Sequence, residues 1–124
     1  MTFGVGIDMV DVERMAKSIG KDSGFREMVF SADEIAYCES KTNKFEHYAA
    51  RFAAKEAFFK ALGTGWTDDT HFNEVEVIHD TQGKPGIKLS GSTLDTVRPI
   101  GISNILVSLT HIKTVASAIV ILEK

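Results

Sequence analysis

The sequence predicts an α+β domain, on two observations. Strand-like runs lie toward both ends of the 124-residue chain, and one long helical block, EHYAARFAAKEAFFKAL, occupies Glu46 to Leu62 between them. Eleven of the seventeen residues in that block are Tyr, Ala, Phe or Leu, spread nearly all the way round a helix. A helix apolar on almost every side is normally buried. Yet this one carries Arg51, Lys55, Glu56 and Lys60, and buried charges need an ion partner, a ligand or a metal.

The elements follow in order. Phe3 to Val10 alternates Val5, Ile7 and Met9 on one face with Gly4, Gly6 and Asp8 on the other, the period of a strand whose second face is nearly bare except for one carboxylate. Asp11 is placed to cap a short helix with an apolar stripe of Val12, Met15 and Ile19. Ser31 to Glu34, SADE, is a capping box with Phe30 and Ile35 set for a hydrophobic staple, so a helix is expected from Ala32 to about Ser40. The long helix stops at Gly63, a natural left-handed terminus. Glu74 to His79 and Gly86 to Leu89 read as strands joined by a turn around Gln82-Gly83-Lys84-Pro85. Ser92 to Val97 suits a short helix before Pro99 and Gly101. Ile105 to Leu109 and Val115 to Leu122 are rich in β-branched residues and flank a hairpin turn at Thr110 to Lys113.

Composition narrows the function. Apolar residues make up 44% and charged residues 25%, with a formal net charge of −3, ordinary for a globular protein and unsuited to bulk nucleic-acid affinity. Cys38 is the lone cysteine, so neither an internal disulfide nor a cysteine zinc cluster is expected, in keeping with a reducing cytoplasm. The N-terminus has no basic n-region and meets Asp8 too early for a signal peptide, and no apolar run approaches a membrane span. Common catalytic fingerprints are missing. Gly4-Val5-Gly6 is followed by Met9 where GxGxxG needs glycine, Gly63-Thr64-Gly65 lacks the GK[ST] ending of a P-loop, no serine sits in GxSxG, and the histidines at 47, 71, 79 and 111 lack HExxH spacing.

Taken singly, the charged residues have bland explanations. Glu56 and Lys60 suit an i, i+4 salt bridge worth about 0.2–0.5 kcal/mol. Arg51 and Lys55 suit surface residues snorkelling from an apolar helix. Asp8 suits a strand-end turn, and His111 a hydrogen-bonded loop residue.

Together they match something specific. GVGIDMVDVERM near the N-terminus, RFAAKEAFFKALGTGW in the centre and VSLTHIKTVASAIVILE near the C-terminus stand in the order and spacing of the bacterial holo-[acyl-carrier-protein] synthase family. The sequence resembles these small 4′-phosphopantetheinyl transferases over essentially its whole length. The resemblance implies a single transferase domain over residues 1–124, an antiparallel sheet packed with one long and several short helices. It implies transfer of 4′-phosphopantetheine from coenzyme A to a serine of apo-acyl carrier protein, releasing 3′,5′-ADP, in support of fatty acid (lipid) biosynthesis. It further implies a cytoplasmic homotrimer with active sites between neighbouring subunits, with no nucleic-acid or membrane partner.

Residue by residue, Asp8 and Glu56 match the family's magnesium-binding carboxylates. Mg²⁺ takes hard oxygen ligands and often only one or two carboxylates, phosphate and water completing its shell. Lys60 matches the lysine near the transferring phosphate, with Glu56 the better candidate to accept the serine proton. Arg51, Lys55 and His111 fall at positions assigned to coenzyme A phosphate contacts. Gly63, Thr64 and Gly65 let backbone amides approach the nucleotide, whereas Trp66 is expected to pack in the core or an interface.

Acyl carrier proteins present an acidic helix, so a local basic surface is required. Arg14, Lys17 and Lys21 supply one on the first helix and Arg26 extends it, interrupted by Glu13 and Asp22; the same pattern also describes a solvated amphipathic face. Two departures stand near the coenzyme A contacts: Ile112 where the family commonly has threonine, and Val115 where it commonly has an aromatic residue. The alternative from another class is a non-catalytic module that binds coenzyme A or carrier protein. A different Mg²⁺-dependent nucleotide enzyme, such as a pyrophosphohydrolase, lacks the additional acidic cluster it would need.

Overall fold

Among the described residues ten α-helices and β-strands follow one another: strand β1 (Thr2–Asp11), helices α1 (Val12–Gly20), α2 (Phe25–Val29), α3 (Ala32–Glu39) and α4 (Lys44–Leu62), strands β2 (Val75–His79) and β3 (Pro85–Leu89), helix α5 (Gly91–Val97), and strands β4 (Asn104–His111) and β5 (Val115–Glu123). They are seen in a computed structural model that describes residues 1–65 and 67–124; Trp66 lies outside the described residues. The expected α+β class holds, and only α2 and two single 3₁₀ turns were not foreseen. At five residues, α2 is too short to show a helical period; it follows Gly24, whose φ of 84° only glycine adopts freely.

Local chemistry sets the helix ends. Asp11 Oδ1 accepts the Arg14 amide at 2.9 Å and caps α1. The capping box at α3 is complete, with Ser31 Oγ accepting the Glu34 amide and Glu34 Oε1 accepting the Ser31 amide. Gly63, at φ 80°, ends α4.

The strands form an antiparallel sheet in the order β1-β5-β4, and β2 and β3 form a separate hairpin. Helix α4 lies across the three-stranded sheet, with its alanines 49, 50, 53, 54, 57 and 61 all buried. These meet Ala116, Ala118, Val120 and Leu122 on the inner face of β5, each fully or almost fully buried. Small residues on both surfaces let helix and sheet approach closely.

The closest approach decides which face of β1 is inside. Its glycine face is the buried one. A Cβ on Gly6 would lie 1.9 Å from the Ala57 carbonyl oxygen, and one on Gly4 1.9 Å from that of Ala61. The apolar face points outward, with Val5 56%, Ile7 62% and Met9 70% exposed. Ile119, Ile121 and Leu106 continue this face, because Ile7 pairs with Ile119, and Val5 and Leu106 both pair with Ile121.

Gly6→Ala must therefore push β1 off α4 and is expected to destabilise the fold by about 1–3 kcal/mol or more. Gly20→Ala, with no atom within 4 Å of the added carbon, should be neutral or slightly stabilising. Urea unfolding of the two variants checks both expectations.

Candidate active site

Strand β1 and helix α4 cross at the glycine contact, and the pleat that sends Gly4 and Gly6 toward the helix sends Asp8 the same way. Asp8 accepts a hydrogen bond from Lys60 Nζ at 2.9 Å, and Lys60 also donates to the Ile7 carbonyl at 3.1 Å. Glu56 stands one turn before Lys60. All three line a cleft of about 370 Å³ whose other walls include Arg14, Asp11, Phe25 and Phe52. A second, mainly apolar pocket of about 310 Å³, lined by Met28, Val29, His71 and Phe72, shares Phe25, Phe52 and Glu56 with it.

Charge is tuned within this cleft. Burial raises the Glu56 carboxyl above its ordinary range, and the neighbouring Asp8 charge adds to the effect against the opposing pull of Lys60. The hydrogen bond from Lys60 to Asp8 raises the Lys60 ammonium, so it stays protonated. Asp11 is spent on capping α1; the cleft's other two carboxylates, with Glu56 disfavoured as an anion, make a site that gains from a cation. Among the described residues no group of three or more His, Cys, Asp or Glu side chains is placed to hold a metal, so Asp8 and Glu56 alone would be its protein ligands. Two carboxylates with open positions fit Mg²⁺, which keeps waters and substrate phosphates in its shell.

The remaining candidates are distributed differently. Lys55, expected at a coenzyme A phosphate, is structural. It is fully buried and spends all three donors inside the protein, on Glu34 Oε1 at 2.7 Å, the Val75 carbonyl at 2.6 Å and the Phe72 carbonyl at 2.9 Å. Burial pulls the Lys55 ammonium down while the Glu34 carboxylate holds it up. Glu34 is satisfied in turn by the Val77 amide at 3.0 Å and the Ser31 amide. This pair ties α3, α4 and β2 together, and no ligand reaches it.

Arg51 is also buried, 2% exposed, with its guanidinium 4.1 Å from the centre of the Tyr37 ring. His111 places Nδ1 2.9 Å from Glu46 Oε1. Neither lines the Asp8–Glu56–Lys60 cleft. Gly63, Thr64 and Gly65 are exposed just beyond Lys60, with Gly65 also at positive φ, 67°.

On the basic surface, only Arg14 lines the cleft. Lys17 pairs with Glu13 at 3.4 Å on the exposed face of α1. Arg26 is tied to Glu27 at 2.6 Å and Glu39 at 3.4 Å, which partly neutralises it. Ile112 is exposed and Val115 half-buried. Reasoning from sequence missed Glu34 as the countercharge of Lys55, and it missed the aromatic and imidazole rings of Tyr37, His47 and His79 around Arg51. The Glu34 carboxylate carried only its capping-box signal; the rings carried none, being scattered over three elements.

A strand carboxylate facing a helical glutamate and lysine across an open cleft suits a phosphoryl-type transferase, in which positioning and charge stabilisation supply most of the catalysis. The model of the 4′-phosphopantetheinyl transferase superfamily matches residues 4–107, and the chain belongs to that superfamily. It is similar to the holo-[acyl-carrier-protein] synthase of Solibacter usitatus, at 43% identity over 124 residues covering 99% of each chain. The crystal structure of the holo-[acyl-carrier-protein] synthase of Neisseria meningitidis is 30% identical, with a TM-score of 0.91 over 100% of both chains. That of Bacillus anthracis, in complex with CoA (3′,5′-ADP), is 32% identical, with a TM-score of 0.82 over 100% of this chain and 98% of the other.

Lys55→Met strands Glu34 as a buried, uncompensated carboxylate and is expected to cost about 3–5 kcal/mol of stability. Glu34→Gln combined with Lys55→Met should recover part of that loss. Denaturant titration of the two variants measures it, and a Lys55→Met protein of wild-type stability would contradict the structural role.

Proposed function

We propose that residues 1–124 act as one transferase domain that moves 4′-phosphopantetheine from coenzyme A to a serine of apo-acyl carrier protein. The observation that carries this reading is the convergence of Asp8, Glu56 and Lys60 on one cleft at the β1–α4 crossing. Family membership and the relatives solved with coenzyme A support the substrate. A role in fatty acid biosynthesis and a cytoplasmic location are part of the same reading, supported by the resemblance to holo-[acyl-carrier-protein] synthases. No helix among the described residues is long and apolar enough to cross a membrane.

In the proposed reaction the serine Oγ attacks the phosphorus that bears pantetheine, and the bond from that phosphorus to the bridging oxygen of 3′,5′-ADP breaks. Asp8 and Glu56 would hold Mg²⁺, which neutralises pyrophosphate charge when bound. Glu56 takes the serine proton through one water. Lys60 has two donors engaged by Asp8 and the Ile7 carbonyl; its third meets the departing phosphate oxygen. Gly63, Thr64 and Gly65 lie where their backbone would approach the nucleotide. Arg14 at the cleft rim, with Lys17, Lys21 and Arg26 beyond it, would receive the acidic carrier, with Arg14 contributing most because it borders the reacting groups.

Self-association completes the site. Arg51 and His111 are read as coenzyme A phosphate contacts, yet they do not line the Asp8 cleft of their own chain, so they would serve a neighbour's. The outward face of Val5, Ile7, Met9, Leu106 and Ile119 is an apolar surface of the kind that marks a protein interface. Three copies joined through it is the stoichiometry implied by the family resemblance.

The deciding assay mixes protein, coenzyme A, Mg²⁺ and apo-carrier protein and weighs the carrier. Added phosphopantetheine mass is expected; a folded protein that modifies none of several carriers would instead be a binding module. Asp8→Ala should abolish Mg²⁺-dependent transfer, and Glu56→Gln should slow it by roughly 10²–10⁴-fold. Either variant turning over at the wild-type rate would remove that residue from the reaction. Ile7→Glu should give a monomer by light scattering, with transfer lost alongside assembly; a fully active monomer would sink the shared-site reading.

A further inference from the structure

Helix α4 buries two cations four residues apart, and the structure treats them unequally. Lys55 meets a carboxylate and two carbonyls. Among the described residues Arg51 meets no carboxylate: Nε is buried without a hydrogen-bond partner, and Nη1 has a long 3.5 Å contact to the His47 carbonyl. An arginine that must stay charged, buried without a countercharge, is costly in the free protein. An arriving anion would relieve it.

What covers Arg51 is a stack of rings. Tyr37 lies over the guanidinium at 4.1 Å, His79 stacks on Tyr37 at 5.2 Å with planes 15° apart, and His47 meets Tyr37 edge-on at 5.6 Å. His47 in turn contacts His111, with ring centres 5.1 Å apart. Lys41 adds a further cation 4.8 Å from the Tyr37 ring. Among the described residues, the acidic groups acting on His47 and His79 are Glu46, bound to His111, and Asp80, beside His79.

We propose that His47 and His79 complete a phosphate subsite around Arg51, with Tyr37 stacked over it. The inference rests on the reading of Arg51 and His111 as coenzyme A phosphate contacts, and it assigns the ligand group as a phosphate monoester. Burial lowers both imidazoles, and the positive charges of Arg51 and Lys41 lower them further, opposed by Glu46 at His47 and by Asp80 at His79; His111 also lowers His47. Both rings are therefore neutral in the free protein at neutral pH. A bound dianion reverses the sign of the local field and favours their charged forms. Phosphate binding must then take up protons, and affinity must strengthen as pH falls from neutral toward the lowered imidazole range.

Calorimetry of the whole protein with 3′,5′-ADP, and with 5′-AMP as the probe lacking the 3′-phosphate, tests this in buffers of different ionisation enthalpy. Wild type should take up protons on binding 3′,5′-ADP. His47→Gln, His79→Gln and the double variant should lose that uptake progressively. The double variant should bind 3′,5′-ADP about tenfold more weakly at about pH 6 and nearly normally at about pH 8.5, with 5′-AMP little affected. Titration of the nucleotide itself is common to wild type and variants and cancels in the comparison.

Unchanged affinity and proton uptake in the single and double variants would overturn the proposal, leaving Arg51 to a carboxylate of a neighbouring copy. Equal loss for both nucleotides at every pH would overturn it too, as a general structural effect. If wild type neither binds nucleotide nor modifies a carrier, the parent reading falls and this one falls with it. Transfer by wild type together with indifference of the histidine variants overturns this inference alone.

Discussion

The contact between the glycine face of β1 and the backbone of α4 is the constraint on which the rest depends. With no side chain at Gly4 or Gly6, strand and helix nearly touch, and the helix sets its buried alanines close against the central sheet. Asp8, two residues beyond Gly6 on the same face, is carried into reach of Lys60. A larger residue at either glycine would separate the two halves of the cleft before it touched any reacting group. Packing and chemistry are here the same requirement.

The second organising interaction is the Glu34–Lys55 pair. It fastens the start of α3, the middle of α4 and the beginning of the β2–β3 hairpin through five short hydrogen bonds around one carboxylate and one ammonium. Pairs of this kind add little net stability over apolar packing, but they penalise any arrangement that leaves one partner alone. They therefore specify geometry. From the next residue onward, the same helix is free to present Glu56 and Lys60 to the cleft because its buried side is already fixed.

Most of the architecture was legible because its signals are local. Alternation marked the strands, the SADE box marked α3, and Gly63 marked the end of α4. The long helix announced its burial through its alanines and phenylalanines. What sequence hid was direction and pairing. Alternation in β1 separates two faces but does not say which is inside, and glycine packed against backbone defeats the rule that the apolar face is buried. Lys55 resembled its neighbours Arg51 and Lys60 in type and spacing; its role depends on Glu34, whose own signal was already explained as a cap. Arg51 is defined by rings drawn from α3, α4 and β2, and no spacing in the chain foretells that meeting.

The bond between Asp8 and Lys60 has a chemical consequence of its own. A protein that handles coenzyme A meets reactive thioesters, which acylate lysines only through the unprotonated amine. By holding Lys60 more firmly as an ammonium than a free lysine would be, Asp8 lowers the share of free amine such reagents need, although the side chain is half exposed. Lys55 is shielded by burial and Lys60 by charge. In the proposed reaction, Lys60 would thereby resist acylation by thioesters of its own substrate.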